Sequence, residues 1–313
     1  MSEITVIICT HNPDWAVLDG VLAALRHQSL DTRLWDLVVC DSASATPVSE
    51  ERIRQSGPAE SRVVRATEKG LALARRTAAN AATGRWLAIL DDYTVPAPNY
   101  LEACLRCLQA NPGLGSLSAR IRLRLPVPEP DWLPEFAGML ARHEHGDHFL
   151  RAGPFSAGQR RYPAFAPLGV CVCSRLACLD FFRHCDASPI HYKLGRSGNS
   201  LASGEDNDFT LWLLSNGHAV AYLPDTSLEH VIPLRRLDPA YLARLNRAMQ
   251  RTWMQVLALH DANPWPPLSP WSARLRILKA WFTYRPWSSP VQRIRYEGAC
   301  GHFEGRSRHL GDC

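Results

Sequence analysis

Two adjacent carboxylates close an apolar run in "RWLAILDDYTVPAP", residues 85–98, where Trp86 to Leu90 read as a strand buried on both faces and Asp91 and Asp92 follow at once. Burying an unpaired ion is severely unfavourable, so a core strand that ends this way presents its acids to something at the sheet edge. Two further clusters offer comparable ligands. "SGEDND" places Glu205, Asp206 and Asp208 after a glycine-containing loop, and "SLEHVIP" places His230 after a strand. Hard divalent cations such as Mg²⁺ take oxygen ligands and share them with substrate phosphates, and Mn²⁺ readily accepts an added imidazole. One or two carboxylates, a histidine and a diphosphate would complete an octahedral set with waters. A separate carboxylate within reach of a hydroxyl could act as a general base.

Each cluster taken alone has a plainer reading. An acidic pair suits a turn or a solvated helix start. Glu205, Asp206 and Asp208 suit the positive end of a helix macrodipole. Asp41-Ser42 fits an Asx-type turn, Arg75 a surface helix position, and His230 a satisfied strand-end histidine. The elements around them decide between the readings.

The first 110 residues alternate strand and helix signals. "ITVIIC" (4–9) reads as a strand, residues 15–28 carry apolar residues at helical spacing, and "DLVVCD" (36–41) and "SRVVRAT" (61–67) read as two more strands. An Ala-rich helix over 70–84 ends at a glycine. The strand 86–90 follows, then a helix from near Pro98 to Gln109. This alternation predicts βαβ units and a mostly parallel, Rossmann-type sheet with helices on both faces. Ligands of such sheets bind outside the carboxyl ends of the strands. Thr10, His11 and Asn12, then Asp41 and Ser42, then Asp91 and Asp92 sit at three such ends and would converge on one crevice.

Residues 111–200 are richer in Pro and Gly and less periodic; "LPVPEPDWLPEF" and "KLGRSGNSLASG" read as long loops of the functional or mobile kind. Regularity returns with a helix over 205–217, a short strand "HAVAYLP", and a long helix over 239–260. We therefore expect a catalytic unit over 1–237 and a helical extension over 238–313.

Composition narrows the field less. The 313 residues are 46 % apolar and 21 % charged, with a formal charge of +5, which allows a sizeable core and a phosphorylated, nucleic-acid or lipid partner without selecting one. No apolar run approaches the ~18 residues of a membrane span, and the N-terminus reads as a core strand, not a leader. Cys9, Cys40, Cys171 and Cys173 lie in apolar runs, so the ten cysteines read as reduced, in keeping with a cytoplasmic chain. Cys104-Leu-Arg-Cys107 and "CVC" at 171–173 resemble halves of metal sites, but no second CxxC stands at zinc-ribbon spacing, so a structural zinc is not expected.

Five blocks, "ITVIICTHN", "VVCDSAS", "EKGLALARRTAANAATGRWLAILDDYTVP", "SGEDNDFTLWLLSNG" and "YLPDTSLEHVIP", occur in an order and spacing that resembles family 2 glycosyltransferases of the GT-A fold. The resemblance spans roughly residues 4–235. It implies an inverting transfer of a sugar from a nucleoside-diphosphate donor, with Mn²⁺ or Mg²⁺, onto a hydroxyl of a glycan or lipid-linked glycan, and no nucleic acid partner. It also implies roles. Thr10 and Asn12 touch the nucleotide, Asp41 the base, and Arg75 matches the arginine of the family's "ARN" helix. Asp91 and Asp92 hold the ribose and the metal-bound diphosphate. Glu205 and Asp206 match the "ED" pair, with Asp206 as the base, and His230 joins Asp92 at the metal or diphosphate.

Two positions depart from the pattern. Tyr93 stands where the acidic motif usually has Asp or Asn, and Arg76 where the "ARN" block has Asn. A neutral phenol is a poor metal ligand, which leaves open a non-catalytic sugar-nucleotide-binding relative. A nucleotidyltransferase would need a Gly- and Arg-rich loop after the first strand, where "THNPDW" stands. The basic, aromatic tail from 270 onwards has two readings: a segment lying on a membrane surface, or a helical appendage packed on the catalytic unit. The second is favoured, because Gly298, Gly301 and Gly305 would interrupt a long amphipathic helix.

Overall fold

The computed structural model describes residues 2–156, 160–196, 198 and 200–307; residues 308–313 of the expected extension lie outside them. Strands β1 (Ile4–Thr10), β2 (Trp35–Ser42), β3 (Ser61–Ala66) and β4 (Trp86–Asp91) run parallel, ordered β3-β2-β1-β4. Their near-continuous apolar sequences follow from burial on both faces. Ile4, Val6 and Ile8 face the cluster that takes in α1 (Trp15–Arg26), α2 (Glu50–Ser56) and α4 (Tyr100–Ala110), whereas Ile7 faces α3 (Leu71–Ala81) and α5 (Arg175–Ala187). Helix α1 buries Leu18, Val21, Leu22 and Leu25 on one stripe, each worth roughly 1.5–3 kcal/mol when fully removed from water. Helix α3 presents Ala74, Ala78 and Ala79, small residues that let it lie close to the sheet.

Beyond β4 the sheet mixes directions. It continues through β8 (Cys171–Ser174), β6 (Leu114–Arg124), β9 (Ala219–Val231) and β5 (Thr94–Pro96), with β7 (Leu150–Ala152) also on β9. Strand β8 is antiparallel to both neighbours, and β6 and β9 are parallel to each other. Cys171 and Cys173 enter one core cluster and Val172 the other, as period-2 alternation requires. The short strand expected from "HAVAYLP" is the first half of the longer β9, which carries on through His230.

Helix α6 (Glu205–Ser215) has Glu205, Asp206 and Asp208 in its first turn. Asp208 is wholly buried and accepts from His191 Nδ1 at 2.8 Å and His260 Nε2 at 2.6 Å. It thereby fastens α6 to the end of α7 (Pro239–Leu259). Helices α8 (Pro270–Tyr284) and α9 (Pro290–Ser307) complete the C-terminal region. The glycines expected to break this tail do not: α9 is continuous through Gly298, Gly301 and Gly305. All three face α7, where a Cβ at 301 would collide with the Arg247 carbonyl. Their small size allows close helix–helix contact.

Candidate active site

Strand register levels the polar strand ends. Thr10 pairs with Asp41, and Cys9 with Asp91, across β1. Asp91, the last residue of β4, opens into a cleft whose far wall is the start of α6. Arg75 spans the two. From α3 it donates to Glu205 Oε1 at 2.7 Å and to the Gly169 carbonyl at 3.1 Å, and approaches Asp91 Oδ1 at 3.5 Å. Burial would lower the guanidinium's pKa, but the Glu205 and Asp91 charges override it and keep Arg75 protonated.

The cleft is lined by Arg75, Asp91, Tyr93, Arg196, Glu205, Asp206, His230 and Arg236, with Leu245 and Met249 of α7. Desolvation raises the carboxyls of Glu205 and Asp206 above their ordinary values, with Arg75 opposing the rise in both. Asp206 accepts from the Asn207 N–H at 2.9 Å, and among the described residues its engagement is with backbone groups, not with a cation of its own. A carboxylate whose proton affinity is raised by desolvation is suited to take a proton.

A second pocket shares Leu71 and Arg196 with the first and is lined by Thr10, His11, Ser42, Lys69 and Gly70. Asp41 and Asn12 line neither. Asp41, 1 % exposed, accepts from Ser44 N at 2.9 Å and Val48 N at 3.3 Å. Burial works to raise its carboxyl, but these bonds and Arg65 hold it below the usual range. Asn12, with φ of 50°, accepts from Ala45 N. Both residues brace the loops that shape the pocket.

Asp92 also lines neither pocket: it accepts from Thr10 Oγ1 at 2.5 Å, and desolvation lifts it to about 6 despite that bond. The acid that lines the cleft beside His230 is Asp91. Tyr93 stacks on His230, with ring centroids 4.8 Å apart and planes 14° from parallel, and the Arg236 guanidinium lies 4.9 Å from the Tyr93 ring centre. Burial depresses His230 to about 4, so its ring is neutral at pH 7, and Nε2 is buried without a hydrogen-bond partner among the described residues. A neutral imidazole with a free buried nitrogen suits a divalent cation. Among the described residues no three His, Cys, Asp or Glu side chains stand together as a metal cage. His230 and Asp91 therefore fit a cation only as a shared site, completed by a ligand's phosphates.

Arg196 and Arg236 were not expected here. The one signal for Arg236 was the basic pair in "HVIPLRR", directly after the histidine block; Arg196 lay in a loop whose path the sequence does not fix.

The family model of Glycosyl transferase family 2 matches residues 5–162, about half of the chain. This chain belongs to that family. Solved glycosyltransferase structures share the fold over nearly its whole length. Residues 1–349 of S. aureus TarS in complex with UDP superpose with a TM-score of 0.53 at 14 % identity, over 98 % of this chain and 90 % of that one. The complex of the same fragment with UDP-GlcNAc gives 0.53 at 13 %, with the same coverage. The mannosyltransferase PcManGT of Pyrobaculum calidifontis, in complex with GDP-Man and Mn²⁺, gives 0.55 at 20 %, over 94 % of this chain and 73 % of that one. No curated protein matches the chain. Family and fold make it a GT-A-type glycosyltransferase with a C-terminal helical region.

Proposed function

We propose that this chain is an inverting transferase that moves a hexosyl or deoxyhexosyl group from a nucleoside-diphosphate sugar to a hydroxyl of a glycan or lipid-linked glycan. The observation that carries this reading is the Arg75 bridge, which holds the acid of β4 and the first turn of α6 on one cleft. The nucleoside lies in the pocket walled by Thr10, His11, Ser42 and Lys69. The diphosphate runs past Arg196, common to both pockets, towards Arg236 and His230.

Departure of the sugar leaves negative charge on the diphosphate. Arg196 and Arg236 supply fixed positive charge there, in a partly desolvated site where it acts strongly. A divalent cation, Mn²⁺ or Mg²⁺, would be held by His230 and Asp91 together with the phosphates, and would add Lewis-acid stabilisation of the leaving group. Asp206 takes the proton of the acceptor hydroxyl as it attacks the anomeric carbon. Attack opposite the diphosphate inverts that centre. Glu205, engaged by Arg75, orients the α6 turn that presents Asp206. Asp41, Asn12 and Asp92 serve this site by holding the loops after β1, β2 and β4.

The test is Asp206→Asn, assayed with a panel of nucleotide sugars and glycan acceptors. Transfer should fall by roughly 10²–10⁴-fold, the usual worth of a positioned base, while donor affinity stays within about twofold. Unchanged turnover rejects Asp206 as the base. Donor binding with no transfer or hydrolysis by the wild type, with or without added Mn²⁺, would favour the non-catalytic reading that Tyr93 suggests.

A further inference from the structure

Helix α8 carries an apolar stripe on its outer face. Trp271, Leu275, Leu278 and Phe282 are 72, 66, 55 and 65 % exposed. Their spacing of four, three and four residues confines them to an arc of about 60° at 3.6 residues per turn. The opposite face is the packed one: Ala273 and Ala280 are buried, and α8 rests on α9. Trp281 and Trp287, 41 and 60 % exposed, extend the patch, with ring centroids 5.1 Å apart. Scattered exposed apolar residues need no explanation, but a contiguous patch of this size marks a binding surface.

The charge around it is of one sign. Residues 262–296 contain no Asp or Glu. On α8, Arg274 flanks the stripe on one side and Arg276 and Lys279 on the other, and all three are exposed; Arg285, also exposed, follows its last residue. The Arg274 guanidinium lies 5.5 Å from the Trp271 ring centre. Aromatic and aliphatic side chains on one helix face, bordered by cations with long aliphatic stems, are the pattern of a helix lying in a bilayer interface. No helix among the described residues is long and apolar enough to cross a membrane.

We propose that α8 docks the protein onto an anionic lipid surface, with Trp271, Leu275, Leu278 and Phe282 in the headgroup–acyl boundary and the flanking cations against the lipid phosphates. Charge complementarity selects this occupant: a second copy of the same face would bring like charges together, and a neutral surface would leave the cations unused. The glycines that argued against a membrane segment belong to α9, which α7 covers. Of the two helices, it is α8 that presents an apolar stripe outwards. The inference concerns the surface alone and stands apart from the reaction in the cleft.

Co-sedimentation of the full chain with phosphatidylcholine vesicles, with and without about a third phosphatidylglycerol, tests it. Wild type should bind the anionic vesicles at least tenfold more tightly than the neutral ones, and less tightly as salt rises. Both Trp271→Ser/Phe282→Ser and Arg276→Glu/Lys279→Glu should lose at least tenfold in affinity, with unchanged circular dichroism and donor binding. Equal binding by the variants and the wild type overturns the proposal, as does no binding of the wild type to anionic vesicles. A wild-type dimer in sedimentation equilibrium that the same substitutions dissociate would also overturn it, since a second copy would then cover the face.

Discussion

Arg75 is the residue on which the cleft turns, because its single charge faces two carboxylates from different parts of the chain. Removing one partner of a buried ion pair leaves the other uncompensated, at a cost of about 3–5 kcal/mol. Arg75→Leu should therefore lower stability in urea unfolding at pH 7 by about 3 kcal/mol, and by less at pH 5, because desolvation favours the neutral Glu205 carboxyl and the variant lacks the charge that opposes this. An equal loss at both pH values would mean that packing, not charge, is the larger contribution. His143 gives a second test. It is 3 % exposed, its Nε2 has no hydrogen-bond partner among the described residues, and burial lowers its pKa to about 3. The unfolded chain protonates this histidine near 6.5 and the native chain does not, so stability falls as pH drops below 6.5. Between pH 7 and 5 that difference amounts to about 2 kcal/mol. His143→Gln should show a slope flatter by that amount.

At the scale of elements, the alternation of strands and helices over residues 4–110 was legible because interior parallel strands read as unbroken apolar runs and their helices as amphipathic stripes. Strand β6 was not. Its first half mixes Gly115, Ser116 and Ser118 with apolar residues, and its second half alternates Ile121 and Leu123 with arginines. That pattern signals partial exposure, which the sequence around it does not anchor. Helix α5 was missed within the same Pro- and Gly-rich stretch. In α9 the sequence misled for a physical reason: glycine lowers helix propensity, but its missing Cβ is what lets α9 lie on α7. Gly301→Ala should destabilise the chain by about 1–3 kcal/mol through overpacking, read as a drop in thermal midpoint. A neutral or stabilising effect would show that α9 can move away from α7 without loss.

Across the whole molecule, the candidate site was legible where residues sit at strand ends or on α3 and the first turn of α6. Asp91, Arg75, Glu205, Asp206, His230 and Thr10 do line the two pockets. Asp41, Asn12 and Asp92 sit at or just past the same strand ends but are engaged by loop amides and Thr10, a choice made by side-chain rotamer and local hydrogen bonds that spacing cannot reveal. Arg196 and Arg236 arrive from segments whose path depends on the packed molecule. The C-terminal helices are joined to the site: Leu245 and Met249 of α7 line the cleft, and Arg295 of α9 holds Glu135 just before the turn whose Gly138–Leu140 form its rim. The most direct measurement is a crystal structure of the full chain with a nucleoside-diphosphate sugar. The account predicts the base beside Thr10 and Lys69, the diphosphate between Arg196 and Arg236, and the sugar's anomeric carbon facing Asp206. A donor bound elsewhere, or one whose sugar points away from the first turn of α6, would contradict it.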